Sequence, residues 1–369
     1  MAEIINETLL VGQSTEGKHL SVEAIKFIGT NSDAPKVYIQ AGIHGAELQG
    51  SLVIHKLIDY LQKNPPLGDI SLVPQANPIG CNHKVGDFTQ GRFDAMNGDN
   101  WNRYYHYDDR DIDIFLKTVP MNLSQCDLLN HFRRMLKKRL TDKLNAPLGL
   151  SRAARLDLSL QRIAVDADIV LDLHTDAHAI NYVFSPQYAQ QTAAQCFETD
   201  ILLSLPNQFA GAMDEAIFCP WWTLWQKYHQ QEAAPPIEAF TLELGNHESL
   251  NDQQAKQQMQ GICRYLAAKK VIATTDFTTP TVSSTTIWPI NQFQVFYAPV
   301  GGLYQWLCSP GDAIKESQII AHCLQSSNKR SLPIVAPTDM TVVNLFSSAA
   351  VPQGTALAKV LIGKPYASQ

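Results

Sequence analysis

The stretch that decides the fold is residues 36–50, KVYIQAGIHGAELQG. Its first part, residues 36–40, predicts a buried strand, and from Leu48 onward apolar residues recur with a helical period. Gly42 and Gly45 lie between the two and permit the sharp turn that joins a strand to a helix. Because strands alternating with helices are typical of α/β proteins, this stretch favours that class.

The same alternation continues outward from this stretch. A hairpin is predicted within residues 8–28, strands at 70–73, 169–173 and 239–244, and helices at 124–140 and 151–165. We therefore expect an α/β fold in which a mixed sheet is sandwiched by helices.

The last quarter of the chain has a different pattern. Residues 273–286 are rich in Thr and predict a linker, and short strands with turn signals follow it. Residues 298–303 resemble 336–341, and 314–321 resemble 351–358, so two similar β units are expected in one small barrel-like domain. We predict a domain at 1–275, with a helical insertion at about 104–165, and a C-terminal all-β domain at 276–369.

Composition excludes several classes of protein. The 369 residues are 45% hydrophobic and 17% charged, which is ordinary for a globular protein, and the net charge of −6 argues against nucleic acid as a partner. The seven cysteines include no Cys-x-x-Cys pair, so neither a disulfide framework nor a cysteine zinc site is expected. With no leader pattern and no 18-residue apolar run, we expect a cytoplasmic protein that does not enter a membrane.

Three residues have the chemistry of a metal site. His44 and Glu47 are three residues apart in the first helical turn, and His174 ends the apolar strand at 169–173. Two histidines and one carboxylate with an open fourth position form a catalytic rather than a structural zinc site. Ligands gather at the carboxyl ends of strands in open α/β sheets, where these residues are expected. On spacing alone His44 could equally cap a core loop, and either Asp172 or Asp176 could orient an imidazole.

Glu243 and a loop at 90–103 add reactive groups. Glu243 lies in an apolar strand, where it is either a salt-bridged core residue or a general base whose pKa burial raises toward the working pH. In the loop, Arg92 could stabilise an oxyanion, and Asn102 with Arg103 could bind a substrate carboxylate. Without further context such arginines are more often plain surface residues.

Taken in order, these motifs resemble the succinylglutamate desuccinylase/aspartoacylase family, within the wider zinc carboxypeptidase-like superfamily. The resemblance spans roughly residues 35–250 and rests on motifs at these positions: His44 to Glu47, Asn77-Pro78, Arg92, Asn102-Arg103, Asp172 to His174, and Glu243 to Gly245. The insertion at about 104–165 is larger than in compact members.

The resemblance implies a zinc-dependent hydrolase that removes an acyl group from the nitrogen of an amino acid or related small amine. It implies that His44, Glu47 and His174 hold one Zn²⁺ per chain and that Glu243 activates water. It also implies that Arg92 polarises the carbonyl, and that Asn102 and Arg103 bind the carboxylate of a small-molecule substrate.

Two other functions stay open. A zinc carboxypeptidase acting on short peptides would use the same residues, and a zinc-stabilised binding protein would need no turnover. A homo-oligomer is compatible with the sequence, which does not specify one.

Overall fold

The computed structural model describes residues 2–120, 122–229, 234–273, 277 and 283–366. Most of the predicted linker and the predicted domain boundary between 275 and 276 lie outside the described residues, so the two predicted domain ranges stay predictions.

The described strands, in chain order, are β1 (Glu3–Gln13), β2 (His19–Ile28), β3 (Val37–Ala41), β4 (Ile70–Val73), β5 (Lys84–Val85), β6 (Phe88–Thr89), β7 (Ile169–Asp176), β8 (His178–Ala179), β9 (Asn181–Pro186), β10 (Ile201–Leu205), β11 (Glu238–Asn246), β12 (Thr286–Pro289), β13 (Phe293–Tyr297), β14 (Gly302–Trp306), β15 (Ala313–Ile314), β16 (Ile319–Gln325), β17 (Arg330–Val335), β18 (Met340–Leu345), β19 (Ala350–Val351) and β20 (Ala356–Ile362). The described α-helices are α1 (Gln49–Lys63), α2 (Asp109–Leu116), α3 (Gln125–Leu144), α4 (Arg152–Ala164), α5 (Gln190–Cys196), α6 (Met213–His229) and α7 (Asp252–Ala268).

A nine-stranded mixed sheet forms the centre of the molecule, in the order β1-β2-β4-β3-β7-β11-β9-β10-β12. The pairs β4–β3, β3–β7 and β7–β11 are parallel, whereas β9 runs antiparallel to β11. The carboxyl ends of β3, β7 and β11 therefore lie side by side at one edge of the sheet. This is the place where ligands bind in open α/β folds.

Helices cover both faces of this sheet, as the sequence predicted. Along β3, Val37 and Ile39 pack into one core with α1 and α7, whereas Tyr38 packs into the opposite core with α3, α4 and α6. The alternation follows from the two-residue period of a strand. The predicted insertion contains α2, α3 and α4, and side-chain caps from Ser124 and Ser151 begin the last two.

The C-terminal strands form two antiparallel sheets. One contains β13, β20, β18 and β15, and the other contains β17, β16, β14 and β19. The strand pattern β13 to β16 recurs as β17 to β20, which agrees with the two predicted β units. The expected barrel-like closure is wrong for the described strands, because the two sheets pack on a shared apolar core and are not hydrogen-bonded into a ring.

The C-terminal strands are also attached to the large sheet. β12 extends that sheet beside β10, and β18 pairs with β8 directly after β7. Tyr182, Trp288 and Val343 belong to one apolar cluster that spans this junction. None of the helices among the described residues has the length and apolarity that a membrane span requires.

Replacing Phe132 should test the packing of the insertion against helix α6. Phe132 is fully buried and contacts Trp221 and Phe115 at ring-centre distances of 4.7 and 5.0 Å. We expect Phe132→Ala to lower the free energy of unfolding by about 3–5 kcal/mol, because it leaves a cavity. Urea titration measures this, with the fully exposed Leu148→Ala as control. Equal losses in both variants would contradict the packing described here.

Candidate active site

The turn after β3 places two side chains at the edge of the sheet. Gly42 has a φ of 72°, and a Cβ on Gly45 would lie 2.1 Å from the carbonyl oxygen of Gly80. Both positions therefore require glycine. The turn directs His44 and Glu47 toward the end of β7, where His174 lies.

His44, Glu47 and His174 converge in the folded chain. Nδ1 of His44 lies 2.8 Å from Glu47 Oε1, and Nδ1 of His174 lies 2.7 Å from Glu47 Oε2. All three side chains are buried, and they offer ligand atoms within 4.8 Å of one another. The structure thus brings together the predicted ligand set as a group that could hold a metal ion.

The second nitrogen of each imidazole faces a side-chain oxygen. His44 Nε2 lies 3.0 Å from Asn100 Oδ1, and His174 Nε2 lies 2.8 Å from Asp172 Oδ2. Donation of the N–H from Nε2 leaves Nδ1 of each ring as a lone-pair ligand. Between the two aspartates considered from the sequence, Asp172 contacts His174, and Asp176 instead binds Lys359 and Tyr182.

The charges of the cluster favour a cation. Burial opposes ionisation of Glu47, but the two imidazoles outweigh it and hold the pKa of the Glu47 carboxyl well below its usual range. Burial lowers the pKa of His44. Burial also acts against protonation of His174, but Asp172 and Glu47 together raise the pKa of this imidazole well above its ordinary value. The two buried carboxylates, Glu47 and Asp172, therefore stabilise a positive charge within the cluster.

Glu243 lies beside this cluster, in register with His174 on the neighbouring parallel strand. Its side chain is half-buried, and its Oε2 is buried with no hydrogen-bond partner. Burial, reinforced by the negative charge of Asp176, raises the pKa of Glu243 to about 8. Glu243 is therefore not the salt-bridged core residue that the sequence left open, and it has a free oxygen next to the ligand set.

The loop at 90–103 reaches the same place. Arg92 Nη1 donates to Glu47 Oε1 at 3.2 Å, and Asn102 Nδ2 lies 3.3 Å from His174 Nε2. The Oδ1 of Asn102 is buried without a partner. Arg103 is exposed beside it and donates to the carbonyl of Asn102 at 2.5 Å. Arg92 and Asn102 thus contact the ligand set, whereas Arg103 lies at its rim.

Two residues at the site were not predicted. Asn100 contacts His44. The only feature of the sequence that could have pointed to it is its position two residues before Asn102. His247 lies with Nε2 3.7 Å from Glu47 Oε1 and donates to the carbonyl of Thr175 at 3.1 Å. It follows Glu243 by four residues, beyond a turn at Gly245 with a φ of 104°. A strand pattern alone gives no reason to expect His247 there.

The family follows from comparison with known proteins. Residues 33–269 match the model of the succinylglutamate desuccinylase/aspartoacylase catalytic domain. The chain belongs to this family. Its members are desuccinylase and aspartoacylase hydrolases, and the family that the motifs indicated is confirmed.

Solved structures agree with this assignment. A protein of Shewanella frigidimarina NCIMB 400, described as a succinylglutamate desuccinylase/aspartoacylase, is 36% identical, with a TM-score of 0.93 over 99% of each chain. A family protein of Shewanella amazonensis SB2B is 37% identical, with a TM-score of 0.91 over 97% of this chain and 98% of its own. An aspartoacylase family protein of Mesorhizobium loti MAFF303099 is 18% identical and shares the fold, with a TM-score of 0.64 over 100% of this chain and 96% of its own. No curated protein matches the sequence.

Removal of a ligand should abolish metal binding. We expect His44→Ala and His174→Ala to retain little divalent metal after dialysis, because two remaining donors hold an ion weakly. Asp172→Asn should weaken affinity by about 10–100-fold, because it changes the group that orients His174. Elemental analysis of the purified protein measures the metal content.

The matched control is His55→Ala, which removes an exposed histidine from α1. Metal content at the parent level in either ligand variant would disprove the ligand set.

Proposed function

We propose that this protein is a zinc-dependent hydrolase that cleaves the amide bond of an N-acylated amino acid or related small amine. The observation that carries this proposal is the buried His44–Glu47–His174 group with the unpartnered oxygen of Glu243 beside it. Membership of a family of desuccinylases and aspartoacylases supports the reaction class.

The donor set fits zinc. Two imidazole nitrogens and one carboxylate are the ligands of catalytic zinc sites, in which a fourth position stays open for water or substrate. The contacts of Asn100 and Asp172 fix the two rings with Nδ1 toward the shared centre. We propose one Zn²⁺ per chain, held by His44, Glu47 and His174. Zinc bound there would supply a Lewis acid and would lower the pKa of a bound water to about 7.

Glu243 is the proposed general base. Its free Oε2 can accept a proton from the attacking water and return it to the nitrogen of the leaving amine. A pKa of about 8 in the absence of metal suits this exchange, since a nearby dication lowers the pKa of a carboxyl and moves it toward neutral pH.

Arg92 and the Asn102–Arg103 pair are proposed to contact the substrate. The Arg92 guanidinium, which is 44% exposed on its side chain, lies next to Glu47 and can stabilise negative charge on the carbonyl oxygen under attack. Asn102 and the exposed Arg103 form a rim of N–H donors that can bind a carboxylate through bidentate hydrogen bonds. The proposed substrate is therefore a small molecule that has a carboxylate on the amine portion.

A mass-spectrometric turnover screen tests the reaction. Zinc-loaded protein is incubated with N-acetyl, N-succinyl and N-formyl amino acids, acylated diamines and short unblocked peptides. We expect loss of one or more N-acyl amino acids, and chelation of the metal should abolish that loss. Release of C-terminal residues from peptides alone would replace the proposal with a carboxypeptidase. Metal binding without turnover of any compound would favour a binding protein.

Glu243→Gln separates catalysis from metal binding. We expect this variant to retain metal and to lower kcat by about 10²–10⁴-fold, because an amide cannot accept the proton. Steady-state kinetics on the compound found in the screen, together with elemental analysis, measures both effects. Glu16→Gln, at the exposed turn between β1 and β2, is the control. Near-normal turnover in Glu243→Gln would show that another group is the base.

A further inference from the structure

The segment 92–106 makes most of the contacts that reach the ligand set from outside the sheet. Arg92 binds Glu47, Asn100 binds His44, and Asn102 lies against His174. The segment has little regular structure of its own, so its conformation must be fixed from elsewhere. Three side chains of α4 lie against it.

We propose that helix α4 of the insertion positions this segment for substrate binding, and that Asp157 is the positioning residue that fixes the backbone at Tyr104, directly after Arg103. The inference rests on the proposed function, because it assigns a purpose to the Asn102–Arg103 pair. Asp157 is neither one of the proposed metal ligands nor the proposed general base.

Asp157 binds the backbone immediately after the two substrate-binding residues. Its side chain is fully buried, and its Oδ2 accepts from the backbone N–H of Tyr104 at 2.8 Å. Because Tyr104 directly follows Arg103, this hydrogen bond holds the backbone immediately beside the point where the Arg103 side chain begins.

Two further contacts from α4 hold the segment on either side of this point. Arg152 donates through Nε to Asp94 Oδ2 at 2.8 Å and through a second nitrogen to Asp94 Oδ1. The Asp94 side chain is buried. Gln161 accepts from the backbone N–H of His106 at 2.7 Å and donates to its carbonyl at 2.8 Å. The helix therefore fixes the segment near its beginning, at its substrate-binding residues and at its end.

Part of the segment borders an open groove. The groove has a volume of about 740 Å³, and Phe93, Met96, Trp101 and Arg152 are among the residues that line it. Phe93 and Met96 are exposed. Because these residues border an open groove, loss of a contact from α4 leaves this part of the segment few alternative partners.

The protonation state of Asp157 determines which substitution is the matched control. Burial raises the pKa of the Asp157 carboxyl well above its ordinary value, which favours the neutral form. An asparagine has the same shape and retains an oxygen acceptor for the N–H of Tyr104. Asp157→Asn should therefore preserve the positioning, whereas Asp157→Ala removes the acceptor.

Hydrogen–deuterium exchange of the 369-residue, zinc-loaded chain tests the contact without any substrate. We expect Asp157→Ala to speed exchange of the Tyr104 amide by at least about tenfold, because its acceptor is gone, and Asp157→Asn to remain within about threefold of the parent. Exchange in α3 should not change. Unaltered exchange at Tyr104 in Asp157→Ala, or equal acceleration in both variants, would overturn the proposal.

Kinetics on the compound found in the turnover screen supplies the second measurement. We expect Asp157→Ala to raise KM about tenfold with kcat changed less than threefold, and Asp157→Asn to restore KM, since one hydrogen bond in the folded chain is worth about a factor of ten. A merely destabilising change would lower the active fraction and leave KM unaltered, and that result would overturn the proposal. Asp142→Ala, on α3 and outside the segment, is the control.

A second variant tests the proposal independently if Asp157→Ala does not fold. The double change Asp94→Asn with Arg152→Gln removes an ion pair whose arginine is 39% exposed, and it should speed exchange within residues 94–101. Unchanged exchange there would overturn the positioning by α4. Absence of turnover on every compound would defeat the proposed function and leave both exchange measurements valid.

Discussion

The buried carboxylate of Glu47 is the constraint on which the site depends. A carboxylate removed from water is costly unless it is surrounded by donors or cations. Glu47 accepts hydrogen bonds from the N–H of Thr175 at 3.2 Å and from Arg92 at 3.2 Å, and two imidazole nitrogens lie 2.7 and 2.8 Å from its oxygens. These groups come from the turn after β3, from β7 and from the long loop. Their convergence requires β3 and β7 to be adjacent and parallel, which the order of the sheet provides.

The sequence predicted the parts of the fold and site that depend on local pattern. The strand at residues 36–40, the helices after Ser124 and Ser151, and the His44–Glu47 spacing are each encoded by residues that are close together in the sequence. His174 was also predictable, because an apolar strand that ends in a histidine places it at the carboxyl edge of a parallel sheet. Because imidazole and carboxylate groups are common zinc ligands, these residues formed the predicted ligand set.

Features that depend on distant chain segments were not predictable in the same way. Asp172 and Asp176 lie on the same face of β7 as His174, so the two-residue period of a strand could not choose between them, and only the folded geometry does. His247 reaches Glu47 because the chain bends at Gly245, beyond a register shift in β11. The expected barrel failed for a related reason. Strand patterns predict pairing and repeats, whereas closure depends on how the outer strands of two sheets meet.

The C-terminal strands make hydrogen bonds and an ion pair with residues close to the site. β18 completes the hydrogen bonding of β8, and Lys359 on β20 pairs with Asp176, two residues after His174. A chain that lost these strands would expose the edge of β8 and leave the Asp176 carboxylate without its cation. The two parts therefore cannot be recombined freely during evolution. A C-terminal domain taken from a relative would support this site only if it preserved both the register of β18 and a positive charge at position 359.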